Sequence, residues 1–378
     1  MGRIYLDHHT ASRPHPSAID AMLPFLREHW GSSLAPHQMG QELFAPLSRF
    51  NKTIFDLLGA EESDQFCFFH SSSEAILHLY LSHYFDHIRG SGRNHILTTA
   101  IEEAGTWMQL LRLEELGCHR KTLPVNEQGQ LTSSVLEAAI NPRTSLLSLS
   151  WANGLTGVIH PIADIAEVCR ARDIRLHVDA SYVIGKLYFR FEDYPIDYLT
   201  FDGSFIHSPK GTGGLLTKAK IPFSSPSTGV SVGGIAALSQ ALEECGKNFD
   251  HLCLETARLR GKFEKQIQEQ IPDSIVLFQA VDRLPNCSAI AFPGVASDAL
   301  LFLLHRKGVY ASLGGGHCQK LSHVLVASGI DEIVAQGALS FSFSFETTEK
   351  EIDEAVKIIV ESALQLSALS GRLFKETP

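Results

Sequence analysis

Four groups of residues in this 378-residue chain have types and spacing that could do chemistry. Asp179 closes the apolar run LHVD. In open α/β sheets ligands bind beyond the carboxyl ends of strands, so an acid there is placed to face one. It is equally placed to cap a helix or join a loop salt bridge. Ser71, Ser72 and Ser73 lie between the apolar FCFF and the helical EAILHLYLSHYF. Hydroxyls and free amides at a helix N-terminus hold anions. Plain N-capping is the alternative, and Glu74 in the first turn disfavours an incoming phosphate. Asp7, His8 and His9 form a trio of metal-ligand types. Adjacent side chains on a strand point to opposite faces, which argues against a shared ion. Gly314 to Cys318, GGGHC, sets a thiol beside an imidazole on a glycine loop. A thiolate nucleophile needs an accessible, electropositive setting of that kind. Adjacency in sequence does not bring the His317 and Cys318 side chains together, so a glycine turn with a bystander thiol stands beside that reading.

The elements that would position these groups alternate between strand and helix. HILTTA (95–100), SLLSLSW (145–151), IRLHVDA (174–180), YLTFD (198–202) and GGLLT (213–217) read as short buried strands. Between them, 103–117 reads as a helix ending at Gly117. The segment 161–173 reads as a second helix, with Pro161 in its first turn and Ile162, Ile165, Ala166 and Cys169 on one face. Such alternation predicts βαβ units and a mostly parallel sheet with helices on both faces. A Pro-, Ser- and Gly-rich loop follows at 219–234. A long helical stretch then runs from about Ile235 to Ile271, interrupted at Gly246. The remainder predicts a smaller α/β unit with strands at 274–278, 288–292 and 338–345. Its last helix starts near Thr348, with Ile352, Val356, Ile359 and Ala363 as the apolar stripe. The expected organisation is an N-terminal segment (1–15) packed on the small domain, a large domain (16–248) and a small C-terminal domain (249–378).

Composition narrows the partners. The net charge of -10 disfavours nucleic acid and anionic membrane, both of which need a basic surface. No apolar run approaches a membrane span, and the opening MGRIYLDHHTAS has no long apolar segment of the secretory kind. The seven cysteines are scattered and form no CxxC pair, which fits reduced thiols in a cytoplasmic protein.

In order along the chain, IYLDHHTASRPHPSAIDAMLPFLREHWGSS, LTTAIEEAG, NGLTGVIHPI, LHVDASYVIGK, SPKGTGG, LSHVLVASG and TTEKEIDEAV resemble the cysteine desulfurase (NifS-like) branch of the class V aminotransferase family. The resemblance covers nearly the whole chain. It implies an α/β chain of the fold type I pyridoxal-phosphate (PLP) transferases, with a mostly parallel sheet flanked by helices and a smaller C-terminal domain. It also implies a homodimer and sulfur-transfer or cofactor-assembly partners. The chemistry of that family needs a Schiff-base lysine, an acid on the pyridinium nitrogen, a stacking ring, a phosphate cradle, a carboxylate-binding arginine and a thiol on a mobile loop.

Set against that pattern, Asp179 keeps the pyridinium position, and Ser71, Ser72 and Ser73 lie at the phosphate loop. The lysine falls on Phe205, and the histidine before it on Ser204. The stacking histidine falls on Glu103, and a phosphate-holding hydroxyl on Asp202. The asparagine near the ring oxygen falls on Gly154, next to Asn153. The arginine falls on about Ser340, and the nucleophilic cysteine on His317, with Cys318 one residue late. The loop after Gly213 is shortened in IPFSSPSTGVSVGG. Phenylalanine forms no imine. The expectation is therefore a degenerate relative that binds, scaffolds or regulates. The alternative is a working PLP desulfurase or lyase with a relocated lysine, Lys210 or Lys186, and Cys318 as thiol. A third reading uses Glu103, Asp179, Asp202, His207 and His317 as a metal site.

Overall fold

The computed structural model describes residues 2–221, 223, 230–315 and 319–373, the last four of these by backbone alone. His317 and Cys318 lie outside the described residues. The strands are β1 (Ile4–Tyr5), β2 (Gln65–Phe69), β3 (His95–Thr99), β4 (His119–Leu123), β5 (Thr144–Ser150), β6 (Arg175–Asp179), β7 (Tyr198–Asp202), β8 (Gly213–Thr217), β9 (Ile275–Val276), β10 (Cys287–Ala291), β11 (Val309–Tyr310) and β12 (Ala338–Ser342). Seven of them form one sheet in the order β2-β8-β7-β6-β5-β3-β4. The pairs β7–β6, β6–β5, β5–β3 and β3–β4 are parallel, whereas β8 runs antiparallel to β7 and β2.

Every residue of β3, β5 and β8 is buried, as expected of strands covered on both faces. One face packs Leu97, Leu147, Leu176 and Leu199 against the Ile162–Ala171 helix through Ile162, Ile165, Ala166 and Cys169. The other packs Ile96, Leu146 and Leu215 against the helices Ser72–His83 and Ala104–Glu115. In the C-terminal part, the antiparallel sheet β12-β10-β9 shares a core with the helices Phe249–Gln270 and Glu349–Leu373. Ile352, Val356, Ile359 and Ala363 all face that core. β1 pairs in parallel with β11.

Several boundaries differ from the expectation. Gly246 does not interrupt its helix; Val232–Lys247 runs through it, and the break comes at Asn248, with φ -116° and ψ 14°. The segment 274–278 forms only the two-residue β9, because Phe278 takes a left-handed φ of 55° and leaves the ladder. β12 stops at Ser342, where Ser344 Oγ and Thr347 Oγ1 accept backbone N–H groups and turn the chain toward the last helix. Pro161 is the N-cap residue and does not enter the first turn.

The two parts are tied through the Ala152–Ile159 turn. Val158 bridges Arg283, and the N–H of Leu284 donates to the Gly157 carbonyl at 2.8 Å. Beneath it, Arg283 and Glu264 form an ion pair at 3.1 Å with both side chains deeply buried (4% and 6% exposed), and the Ser288 hydroxyl donates to Glu264.

Candidate functional site

The carboxyl ends of β6 and β7 deliver Asp179 and Asp202 to one end of the sheet, where the first turn of the Ser72–His83 helix and Glu103 also converge. Asp179 Oδ1 accepts the Ser181 N–H at 2.8 Å. Burial pushes its carboxyl up to about 6, against hydrogen bonds from Ser181 and Thr200. Beside it, burial raises Glu102 to about 7 and Glu103 well above the ordinary carboxylate range. Three acids in a dry site repel one another, and holding protons relieves the repulsion.

The serines are used within the chain. Ser71 is the N-cap, its Oγ accepting the Glu74 N–H at 3.1 Å. Glu74 turns back to accept the His70 N–H at 2.7 Å. The Ser72 N–H points at Asp202 Oδ2 at 3.4 Å. Asp202 Oδ1 also accepts the N–H and hydroxyl of Ser204, at 2.9 and 2.6 Å. A helix N-terminus favours an anion, and here the chain's own carboxylate supplies one. Ser73 Oγ lies only 2.5 Å from where a Cβ on Gly105 would stand, so that glycine gives the serine its room.

A residue not singled out from the sequence occupies the centre. Tyr182, three positions after Asp179, is 2% exposed. Its ring centroid lies 4.9 Å from that of Phe205 and 5.2 Å from that of His9. Three of its ring atoms lie within 2.7 Å of where a Cβ on Gly154 would be. Only glycine at 154 admits the ring. The Tyr182 hydroxyl donates to the Glu103 carboxyl. The one available signal was a large aromatic immediately after the Asp-Ala-Ser turn of LHVDASY, and residue type alone gives it no role.

His9 completes this packing. Its Nδ1 donates to the Gly154 carbonyl at 2.7 Å, and burial holds the ring neutral, with its pKa lowered to about 3. Asp7 instead accepts from Thr10 at 2.8 Å, so the Asp-His-His run serves a turn. Among the described residues no His, Cys, Asp and Glu group is placed to hold a metal ion. Asn153 braces its own turn, Oδ1 accepting the N–H groups of Leu155 and Thr156. Ser340 is buried and donates to the Leu155 carbonyl at 2.6 Å. Lys210 sits exposed in the turn after Pro209. Lys186 lies on the far side of Phe205 and donates to its carbonyl at 3.2 Å.

The chain matches the model of the class-V aminotransferases over residues 4–229. It is 32% identical to a cysteine desulfurase of Cereibacter sphaeroides, the alignment covering 98% of both chains. The chain belongs to the class-V aminotransferase family. Within the family its relatives are NifS-like. A cysteine desulfurase of a Nostoc species is 30% identical over 98% of this chain and 95% of that one. The solved structure of a NifS-like protein superposes with a TM-score of 0.87 at 26% identity, covering 95% of this chain and 98% of the other. This is the fold type I architecture of PLP-dependent transferases.

The family's cofactor is PLP. At the positions that the resemblance assigns to it, the residues present do not fit it in its Schiff-base form. Phe205 has no amine, Glu103 has no flat ring, and Asp202 faces the helix end a phosphate would use. Tyr182 touches three of the positions that resemblance assigns to the cofactor: 103, 154 and 205.

Proposed function

We propose that this chain is a cysteine desulfurase-like protein without desulfurase chemistry, its cofactor site closed by its own side chains. The observation that carries the reading is Tyr182 packed between Phe205, His9, Gly154 and Glu103. Tyr182 fills the ring space, and Asp202 takes the anion position at the helix end. Asp179 remains, but a lone acid cannot make an electron sink without the ring it would protonate.

The role left to such a chain is binding: scaffolding or regulation in the cytoplasm, as a homodimer or paired with an active relative. Leu26, Trp30, Leu34 and Phe44 support this, since large apolar side chains close in sequence stand 56 to 67% exposed. A sulfur-transfer or cofactor-assembly protein is the partner class that fits the ancestry. Among the described residues no helix is long and apolar enough to cross a membrane, and no disulfide forms.

The test is a turnover assay of the purified chain with added PLP and cysteine, reading both sulfide and alanine. The expected result is no product above the free-PLP background. Product that scales with protein, and that disappears on Lys210→Ala, Lys186→Ala or Cys318→Ala, overturns the reading.

A further inference from the structure

Behind Phe205, away from Asp179 and the serines, lies a cavity of about 300 Å³. That is the lower end of the size of small-molecule sites. It is walled by the helices Val232–Lys247 and Phe249–Gln270, by residues 343–345 and by the His8 to His15 segment. Neither Asp179, Glu103 nor the three serines line it, and Phe205 is the wall it shares with the site described above.

Its walls are mainly apolar, with Phe205, Leu252, Phe343 and Phe345 prominent. Lys186 is the one lysine or arginine among the described lining residues. Its amine has three donors, and one of them goes to the Phe205 carbonyl. Among the described residues no carboxylate figures in the charges acting on it, and burial lowers its amine to about 8, so it is still mostly protonated at pH 7. The two lining glutamates are engaged elsewhere: Glu244 with Lys247 and Gln240, Glu255 with Arg258. The thiols of Cys245 and Cys253, beside the amine, give no counter-charge, since burial pushes Cys245 up to about 11 and Cys253 also upward. His8 Nδ1 is buried without a hydrogen bond of good geometry. A cation set in an apolar recess without an anion is costly unless a ligand completes the pair.

We propose that this cavity is a binding site for a small apolar carboxylate. The anion sits on Lys186, and the hydrocarbon body lies against Leu252, Phe343 and Phe345. The charge fixes the head group, and the aromatic walls select an apolar tail over a polar one.

The experiment is calorimetric titration of the full chain with 3-phenylpropanoate, with the neutral 3-phenylpropanamide as its isostere. The acid is expected to bind saturably at one site per chain. The amide should bind roughly tenfold or more weakly, as the loss of a hydrogen bond to a charged group implies. Lys186→Met should weaken the acid by the same factor and leave the amide unchanged. Because that variant also removes an internal bond, Leu252→Trp, which fills the cavity, serves as a second probe and should abolish binding of both. Equal affinity for acid and amide overturns the proposal. So does no saturation at millimolar concentration, or a Lys186→Met protein that binds the acid as wild type does.

Discussion

The ring of Tyr182 lies 4.9 Å from the ring of Phe205, inclined by 33°. The first stands three residues past Asp179, the acid that the resemblance sets at the pyridinium position. The second stands at the position that the resemblance assigns to the family's lysine. Both rings belong to the hydrophobic core built on the large sheet. Burying an aromatic ring removes about 150–250 Å² from water, so the contact stabilises the fold.

Tyr182→Ala should therefore cost about 3–5 kcal/mol, the range for emptying a buried aromatic site. Tyr182→Phe keeps the ring and loses only the bond to Glu103, costing about 1 kcal/mol. Urea unfolding of both variants checks this. A Tyr182→Ala loss below about 1 kcal/mol would mean that the ring is not packed as described.

Restoring the lysine alone should not restore the imine. In Phe205→Lys the Tyr182 ring still fills the space, so borohydride in the presence of PLP should trap nothing at position 205. The double change Phe205→Lys with Tyr182→Ala should yield a trapped peptide there. If the single variant traps as well as the double, the tyrosine is no obstacle.

Glu103→Gln keeps an acceptor for Tyr182 and removes a carboxyl whose folded pKa is raised, chiefly by burial. A raised acid pKa means that the folded state holds the proton more tightly. Its penalty is absent at low pH and grows as pH rises above the unfolded value near 4.5. The variant should thus gain Tm over wild type at pH 8 and gain little at pH 5. The opposite trend would show that Glu103 is ionised and satisfied in the folded protein.

The histidines set the opposite slope, and they are more numerous. Burial lowers His8, His9, His83 and His177 to about 3, and His160 and His207 to about 4. A lowered histidine contributes stability that is present above about 6.5 and is lost as pH falls toward the folded value. Asp7, Asp179 and Glu102, raised to about 6, 6 and 7, offset part of this as they gain protons. Six groups outweigh these three acids and Glu103, so the urea midpoint should fall steadily from pH 7 to pH 4.5. A midpoint rising on acidification would contradict the buried neutral imidazoles.

Arg283→Met should destabilise by about 3–5 kcal/mol, because Glu264 would be left charged and buried with Ser288 as its remaining side-chain donor. Pairing it with Glu264→Met should recover most of that loss. Thermal unfolding of the two variants measures it.

Much of the fold was legible because its strands are short apolar runs between amphipathic helices, a pattern set by burial alone. Ile162, Ile165, Ala166 and Cys169 face the core as their spacing requires. Boundaries were less legible. The kink at Asn248 and the left-handed Phe278 depend on what packs around them. At the site, Phe205, Glu103 and Asp202 stood out as wrong residue types. Tyr182 did not, and His9 stood out only as a candidate metal ligand, because their meaning lies in whom they touch: position 154 admits the ring only as glycine, and His9 grips the Gly154 carbonyl. Asp202 was readable as an acid where the resemblance sets a phosphate-holding hydroxyl. That it meets the Ser72 N–H emerges only when β7 and the helix end are brought together.

The proposed function, with Phe205 at the lysine position and Tyr182 in the ring space, predicts that the family's cofactor forms no covalent bond to this chain. The visible spectrum of the protein mixed with PLP, followed by borohydride reduction and peptide mapping, decides the matter. No protein-dependent imine band and no phosphopyridoxyl peptide are expected. A single trapped lysine, with the band lost when that lysine is changed to alanine, would contradict the closed site and locate a working one.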